Sequence, residues 1–139
     1  MYKKIVIAND GSAGAEKAFA AAIDLCKRFN APLHMISVEE LPYLPSTIDE
    51  VVEDKLDADH RYGGVVEQAR RQAAAERVQL EVHLVAGHPV PAIADFINQE
   101  RCDLLVIGFM GHSAIYHRLI GSTTDRLVEV ASCAVLVVK

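Results

Sequence analysis

The sequence predicts an α/β fold on a mostly parallel sheet, and three observations carry that expectation. Five short strand-like runs, most of them apolar throughout, recur along the chain as strands buried on both faces would. Amphipathic stretches of helical period separate them, and such alternation implies parallel strands joined by right-handed crossovers. The chain has 139 residues, 51% hydrophobic, with 8 Gly and 5 Pro. That suits a single domain over residues 1–139 with one core, and excludes disorder and collagen.

Ile5-Val6-Ile7-Ala8 is the first strand, stopped by the turn residues Asn9-Asp10-Gly11-Ser12. Ala15, Ala18, Phe19, Ala22, Leu25, Cys26 and Phe29 then recur on one helical face, opposite Glu16, Lys17, Asp24 and Lys27. Ser12 is the expected N-cap. Asn30-Ala31-Pro32 ends the helix, because a residue before proline disfavours helical geometry. Leu33 to Val38 is strand two. Residues 39–59 break the pattern with eight acids against the single base Lys55, plus Pro42 and Pro45, and read as a mobile acidic connection. A helix resumes on Val65, Val66, Ala69 and Ala73, expected to fray or kink at Gly63-Gly64, where each glycine costs up to ~1 kcal/mol. In strand three, Leu80 to Val85, Leu80, Val82 and Leu84 alternate with Glu81 and His83, which predicts an edge strand with one wet face. Val90, Ile93, Ala94 and Ile97 mark the next helix. Leu104 to Ile107 is strand four. Leu127, Val128 and Ala131 mark the last helix and Ala134 to Val138 the last strand, apolar at every position and so expected to be buried on both faces.

Lys and Arg number 14 against 19 Asp and Glu, a formal charge of −5, which argues against nucleic acid or an anionic membrane as a partner. No apolar run approaches the ~20 residues of a membrane helix, and the four apolar residues after Lys3-Lys4 are too few for a secretory signal. A cytoplasmic location is expected. Cys26, Cys102 and Cys133 are odd in number and widely spaced, and read as reduced, buried thiols.

Chemistry concentrates where the fourth strand's carboxyl end leads into the last helix. Ligands of open parallel sheets settle beyond the strands' carboxyl ends, where strand order reverses. Gly108 and Gly111 would let backbone approach a ligand, with positive φ available. Gly121-Ser122-Thr123-Thr124 would present amides and hydroxyls at a helix start, where the dipole attracts phosphate. An ordinary loop with glycine punctuation and a Ser/Thr cap accounts for each piece alone; the joint spacing of Gly-x-x-Gly, nine residues, then Gly-Ser raises the phosphate reading.

That spacing resembles the ATP-binding motif of the universal stress protein family. The opening Lys-Lys-Ile-Val-Ile-Ala-Asn-Asp-Gly-Ser, the charged helix after it and the closing Cys-Ala-Val-Leu-Val-Val resemble the family too, so the likeness spans the chain. The resemblance implies an open, twisted, Rossmann-like sheet of five parallel strands ordered 3-2-1-4-5, with helices on both faces. It implies a nucleotide-binding stress or signalling module, with Asp10 at the ribose, Ala8 and Asn9 offering backbone contacts to the base, and Val38 against the adenine. Gly108, Gly111, Gly121 and Ser122 match the phosphate and ribose motif, Thr123 and Thr124 extend the helix-start donors, and Met110 stands where a polar or basic residue is common. It also implies a homodimer through the last strand, an edge in that order.

Asp10 has a second reading, holding the turn at Gly11 or capping the first helix. His112, His117 and Arg118 read as a solvated loop face. There is no G-x-x-x-x-G-K-[ST] and no acid placed for Mg²⁺, so any ATP hydrolysis would be slow and its Mg²⁺ or Mn²⁺ held mainly by the phosphates. His34, His60, His83, His88, His112 and His117 show no H-E-x-x-H and no cysteine at ligand spacing, which argues against a protein-held metal. There is no G-x-S-x-G, no G-x-G-x-x-G, and no Ser-Gly-Gly-x-Asp-Ser loop of the related pyrophosphatases. The alternatives are a slow ATPase or phosphotransferase with Asp10 positioning metal or water, a nucleotide-free homodimer, and a cyclic-AMP binder.

Overall fold

The computed structural model describes residues 1–40, 48–110 and 120–139, with 48–61 as backbone only. Its elements are β1 (Ile5–Ala8), α1 (Ala13–Phe29), β2 (Leu33–Glu39), α2 (Ile48–Ala75), β3 (Leu80–Ala86), α3 (Pro89–Glu100), β4 (Leu104–Gly108), α4 (Ser122–Val130) and β5 (Ala134–Val138). The strands pair in parallel in the order β3-β2-β1-β4-β5. This is the open Rossmann-like sheet the sequence predicts. Strand order reverses between β1 and β4, so their outgoing loops part there.

Alternation along each strand divides the core in two. Ile5, Ile7, Leu33, Met35, Leu104 and Val106 meet Phe19 of α1 and Ala69 and Ala73 of α2 on one face. Val6, Ile36, Leu105 and Ile107 meet Ile93, Phe96 and Ile97 of α3 and Leu127 of α4 on the other. Ser12 caps α1 as expected, its Oγ accepting the Ala15 amide at 3.2 Å, and Asn30 closes it in the left-handed conformation at φ 51.

Four expectations need correction. The acidic connection is helical from Ile48 onward, as the first part of α2; residues 41–47, with Pro42 and Pro45, lie outside the described residues. Gly63 and Gly64 lie within α2, which is a single element from Ile48 to Ala75, and a Cβ at either would meet nothing within 4 Å. The pair therefore costs propensity alone, and Tyr62, Val65, Val66 and Ala69 anchor the helix around it. β5 is only half-buried: Val135 and Val137 pack inward, whereas Leu136 is 39% exposed. Uniform apolarity suggested two covered faces, but an edge strand has helix cover over only part of its surface. Val128 lies on the outer side of α4 and is exposed, not core.

β3 is an edge strand, as expected, without a clean wet face: Leu84 is exposed and His83 is partly buried beside Phe96. All three cysteines are free thiols, with Cys26 and Cys102 buried and Cys133 half-buried. Burial pushes the Cys26 thiol up to about 12 and the Cys102 thiol up to about 11. Among the described residues no helix is long and apolar enough to cross a membrane.

Candidate functional site

The turn after β1 is held by its own side chains. Asn9 continues the pairing with β2, its amide donating to the Ile36 carbonyl at 3.0 Å and its carbonyl accepting from Ser37 Oγ at 2.6 Å. Asn9 Oδ1 accepts the Gly11 amide at 3.0 Å and Asp10 Oδ1 the Ser12 amide at 2.9 Å, which fixes a turn that needs φ 80 at Gly11. Asp10 therefore does hold the turn. The Asn9 backbone, expected to meet a base, is engaged in the sheet.

The exit of β4 is equally constrained. A Cβ on Gly108 would lie 2.7 Å from the Gly14 carbonyl carbon and 2.8 Å from its oxygen, and a Cβ on Gly14 would collide with the Met110 carbonyl oxygen. Gly108 is thus glycine because β4 and the start of α1 touch backbone to backbone, not because a ligand needs the room or a positive φ; only Gly11 and Gly87 have positive φ among the described glycines. Thr124 Oγ1, buried, donates to the Gly108 carbonyl at 2.7 Å, so its hydroxyl proton ties α4 to β4. The Phe109 amide donates to the Val138 carbonyl and the Gly121 amide to the Phe109 carbonyl, each at 2.9 Å.

These contacts aim the start of α4. Gly121 is its N-cap, with no side-chain cap, and the first intrahelical bond is made by the Asp125 amide to the Gly121 carbonyl. The amides of Ser122, Thr123 and Thr124 precede that bond and have no acceptor within the helix, the condition for holding an anion.

The β1 and β4 exits border one cleft, open to solvent at its mouth, with an inner volume of about 170 Å³. Of the residues picked from sequence, Ala8, Asn9, Asp10, Val38, Gly108, Met110, Gly121, Thr123 and Thr124 line it. Ser122 sits exposed beside them at the first position of α4. Gly111, His112, His117 and Arg118 lie outside the described residues. Sequence reasoning missed Ile36, Pro89, Ile93 and Ile107, apolar parts of the wall, and also Ser12, Ala15, Glu40 and Tyr62. Tyr62 reaches over from α2, its hydroxyl donating to the Val38 carbonyl at 3.0 Å. Only its isolated aromatic ring beside two glycines hinted at this. The cleft combines an apolar wall, one carboxylate at Asp10, another at Glu40, and a positive helix end.

The model of the universal stress protein family matches residues 1–139. The universal stress protein MJ0531 of Methanocaldococcus jannaschii is 29% identical over 143 residues, covering 100% of this chain and 83% of that protein. Among solved structures, UspA from Lactobacillus plantarum is similar at TM-score 0.86 and 29% identity, covering 99% of this chain and 98% of that one. A universal stress protein in complex with cAMP is similar at TM-score 0.77 and 26% identity, covering 99% and 97%.

Proposed function

The chain belongs to the universal stress protein family, and from that premise we propose that its cleft binds an adenine nucleotide, ATP first, and that it acts as a nucleotide-sensing module of the stress response. The observation that carries the reading is that the uncapped start of α4 and the carboxylate of Asp10 border the same cleft. Phosphates sit on the amides of Ser122, Thr123 and Thr124, favoured by the helix dipole. Asp10 accepts ribose hydroxyl protons. Ile36, Val38 and Ile93 give the base an apolar wall. Gly121 and Met110 border the phosphates, and Gly111 belongs to the same motif.

The residues fit a nucleotide better than they fit a hydrolase. Asp10 already holds a turn amide, and among the described residues no lysine lines the cleft; Mg²⁺ or Mn²⁺ is held mainly by the phosphates, and turnover is slow at most. The cAMP complex of a relative favours cyclic AMP as the second ligand. Mass spectrometry of the small molecule released from freshly purified protein, followed by calorimetry with ATP and cyclic AMP, tests the reading. Saturable binding of ATP at one per chain is expected. Failure to bind any adenine nucleotide overturns it and leaves a nucleotide-free stress protein; steady phosphate release lost in Asp10→Asn with binding kept makes it an ATPase.

The half-buried edge strand β5, with Leu136 outward, supports a homodimer formed by pairing β5 with its copy. A monomer mass at every concentration by light scattering overturns that part.

A further inference from the structure

We propose that His34, Glu81 and His83 form a site for one divalent transition-metal ion, zinc by preference, on the sheet face beneath the end of α3. His34 of β2 is the register partner of Glu81 on β3, and His83 pairs with Ile36 two positions on. Parallel pairing with a period of two therefore brings all three side chains to one face.

The two imidazole nitrogens and the Glu81 carboxylate crowd together at close to ligand spacing, each histidine facing a different carboxylate oxygen. His34 Nδ1 lies 3.3 Å from His83 Nε2 and 3.5 Å from Glu81 Oε2, and His83 Nε2 lies 3.6 Å from Glu81 Oε1. With one donor atom taken from each residue, the three lie within 4.8 Å of one another. A tetrahedral ion with bonds of about 2.0–2.1 Å has ligand–ligand edges of about 3.3–3.4 Å. A hydrogen bond between the two imidazoles explains the shortest edge alone, whereas 3.5 and 3.6 Å are too long for good hydrogen bonds.

The surroundings suit the ion. The ring of Phe96 lies 4.6 Å from that of His83 and 6.3 Å from that of His34, holding both imidazoles against an apolar wall. His34 is 6% exposed, His83 22% and Glu81 62%, so the ion reaches the site from solvent and keeps a fourth position for water. Two imidazoles and one carboxylate are a borderline donor set that favours zinc or its transition-metal neighbours over Mg²⁺ and Ca²⁺, which take oxygen. The nearby Lys4–Glu100 pair, at 2.9 Å, is neutral in sum. None of the three residues borders the nucleotide cleft, so the site stands apart from the function proposed above. Helical and cysteine spacings in the sequence missed it because its ligands come from two strands, as Glu-x-His and a register partner.

The experiment is titration of chelator-treated, nucleotide-free protein with Co²⁺ and then Zn²⁺, read by visible absorbance, calorimetry and thermal melting. One ion per chain is expected, with the absorption of four-coordinate Co²⁺ on nitrogen and oxygen ligands, displaced by Zn²⁺, and a melting temperature that rises until one equivalent is bound. Glu81→Gln and His83→Gln each weaken binding by about 100-fold or more, since loss of even an outer partner of a ligand costs roughly 10–100-fold. Circular dichroism checks the fold of each variant; should His83→Gln unfold, Glu81→Gln decides alone, because its side chain is mostly in solvent. Absence of a one-to-one site, or unchanged affinity in Glu81→Gln, overturns the proposal, the latter moving the ion to thiols or other histidines. Nucleotide binding is expected to be the same in these variants, so failure of the metal site leaves the nucleotide reading untouched.

Discussion

Thr124 separates a structural role from a ligand role. Its hydroxyl is 2.7 Å from the Gly108 carbonyl, and the residue is 3% exposed. Thr124→Val keeps the shape and removes the donor, leaving that buried carbonyl without this bond, a loss of roughly 1–3 kcal/mol. For a chain of 139 residues, each kcal/mol moves the melting temperature by about 3–4 °C, so a fall of roughly 3–12 °C is expected. Thr124→Ser keeps the donor and loses one methyl, about 0.8 kcal/mol, and should lie between valine and parent. Urea unfolding and calorimetry read both. Nucleotide affinity, measured below the melting range, should fall little, because the hydroxyl proton already faces Gly108. A Thr124→Val protein as stable as the parent, or one that keeps its stability and loses nucleotide, refutes this account.

Gly108→Ala places a methyl against the Gly14 backbone, which cannot swing aside; a loss of about 1–3 kcal/mol is expected, and an unchanged urea midpoint contradicts it. Gly121 has φ −62 and ψ 146, which any L residue accepts, so Gly121→Val should keep the fold and abolish a nucleotide stabilisation worth about 2.7 kcal/mol at a hundredfold excess over Kd; equal ATP shifts in thermal melts would move the phosphate site elsewhere. Cys26 and Cys102 keep their protons in the folded state up to about 12 and about 11, against an ordinary value of 9.0. The unfolded chain therefore binds fewer protons above pH 9, and stability should fall as pH rises from there, by up to about 1.4 kcal/mol per pH unit for each thiol; unfolding free energies that stay flat from pH 8 to about 10.5 would contradict it. Leu136→Lys puts a charge on the β5 edge, and if the parent dimerises through β5 as proposed, light scattering should show the variant as a monomer; a dimer unchanged by the substitution places the interface elsewhere.

Periodicity made most of the fold legible. Runs such as Ile5-Val6-Ile7 and Leu104-Leu105-Val106 are buried on both faces, and helical stripes predict α1 and α3. It failed where coverage depends on neighbours, as at Leu136 and Val128, because one residue's hydropathy does not tell how far a helix extends over it. It failed at Gly63-Gly64 because packing of Tyr62 and Ala69 outweighs propensity. Much of the cleft followed from topology: adjacency of β1 and β4 puts Asp10 beside the β4 exit, and the bond from the Gly121 amide to the Phe109 carbonyl brings the start of α4 to the same place. Ile93, Pro89, Glu40 and Tyr62 come from elements that motif reasoning does not connect, and the histidine cluster depends on the β2–β3 register.

Most polar groups of the motif are committed before any ligand arrives. Asn9 closes the sheet, Asp10 and Ser12 close the turn and cap α1, Gly108 makes room for Gly14, and Thr124 fastens α4. Among the described residues these side chains hold the amides at the start of α4 in position, beside the hydroxyls of Ser122 and Thr123. A site whose backbone is fixed in this way needs little reorganisation to take up the anion proposed for it.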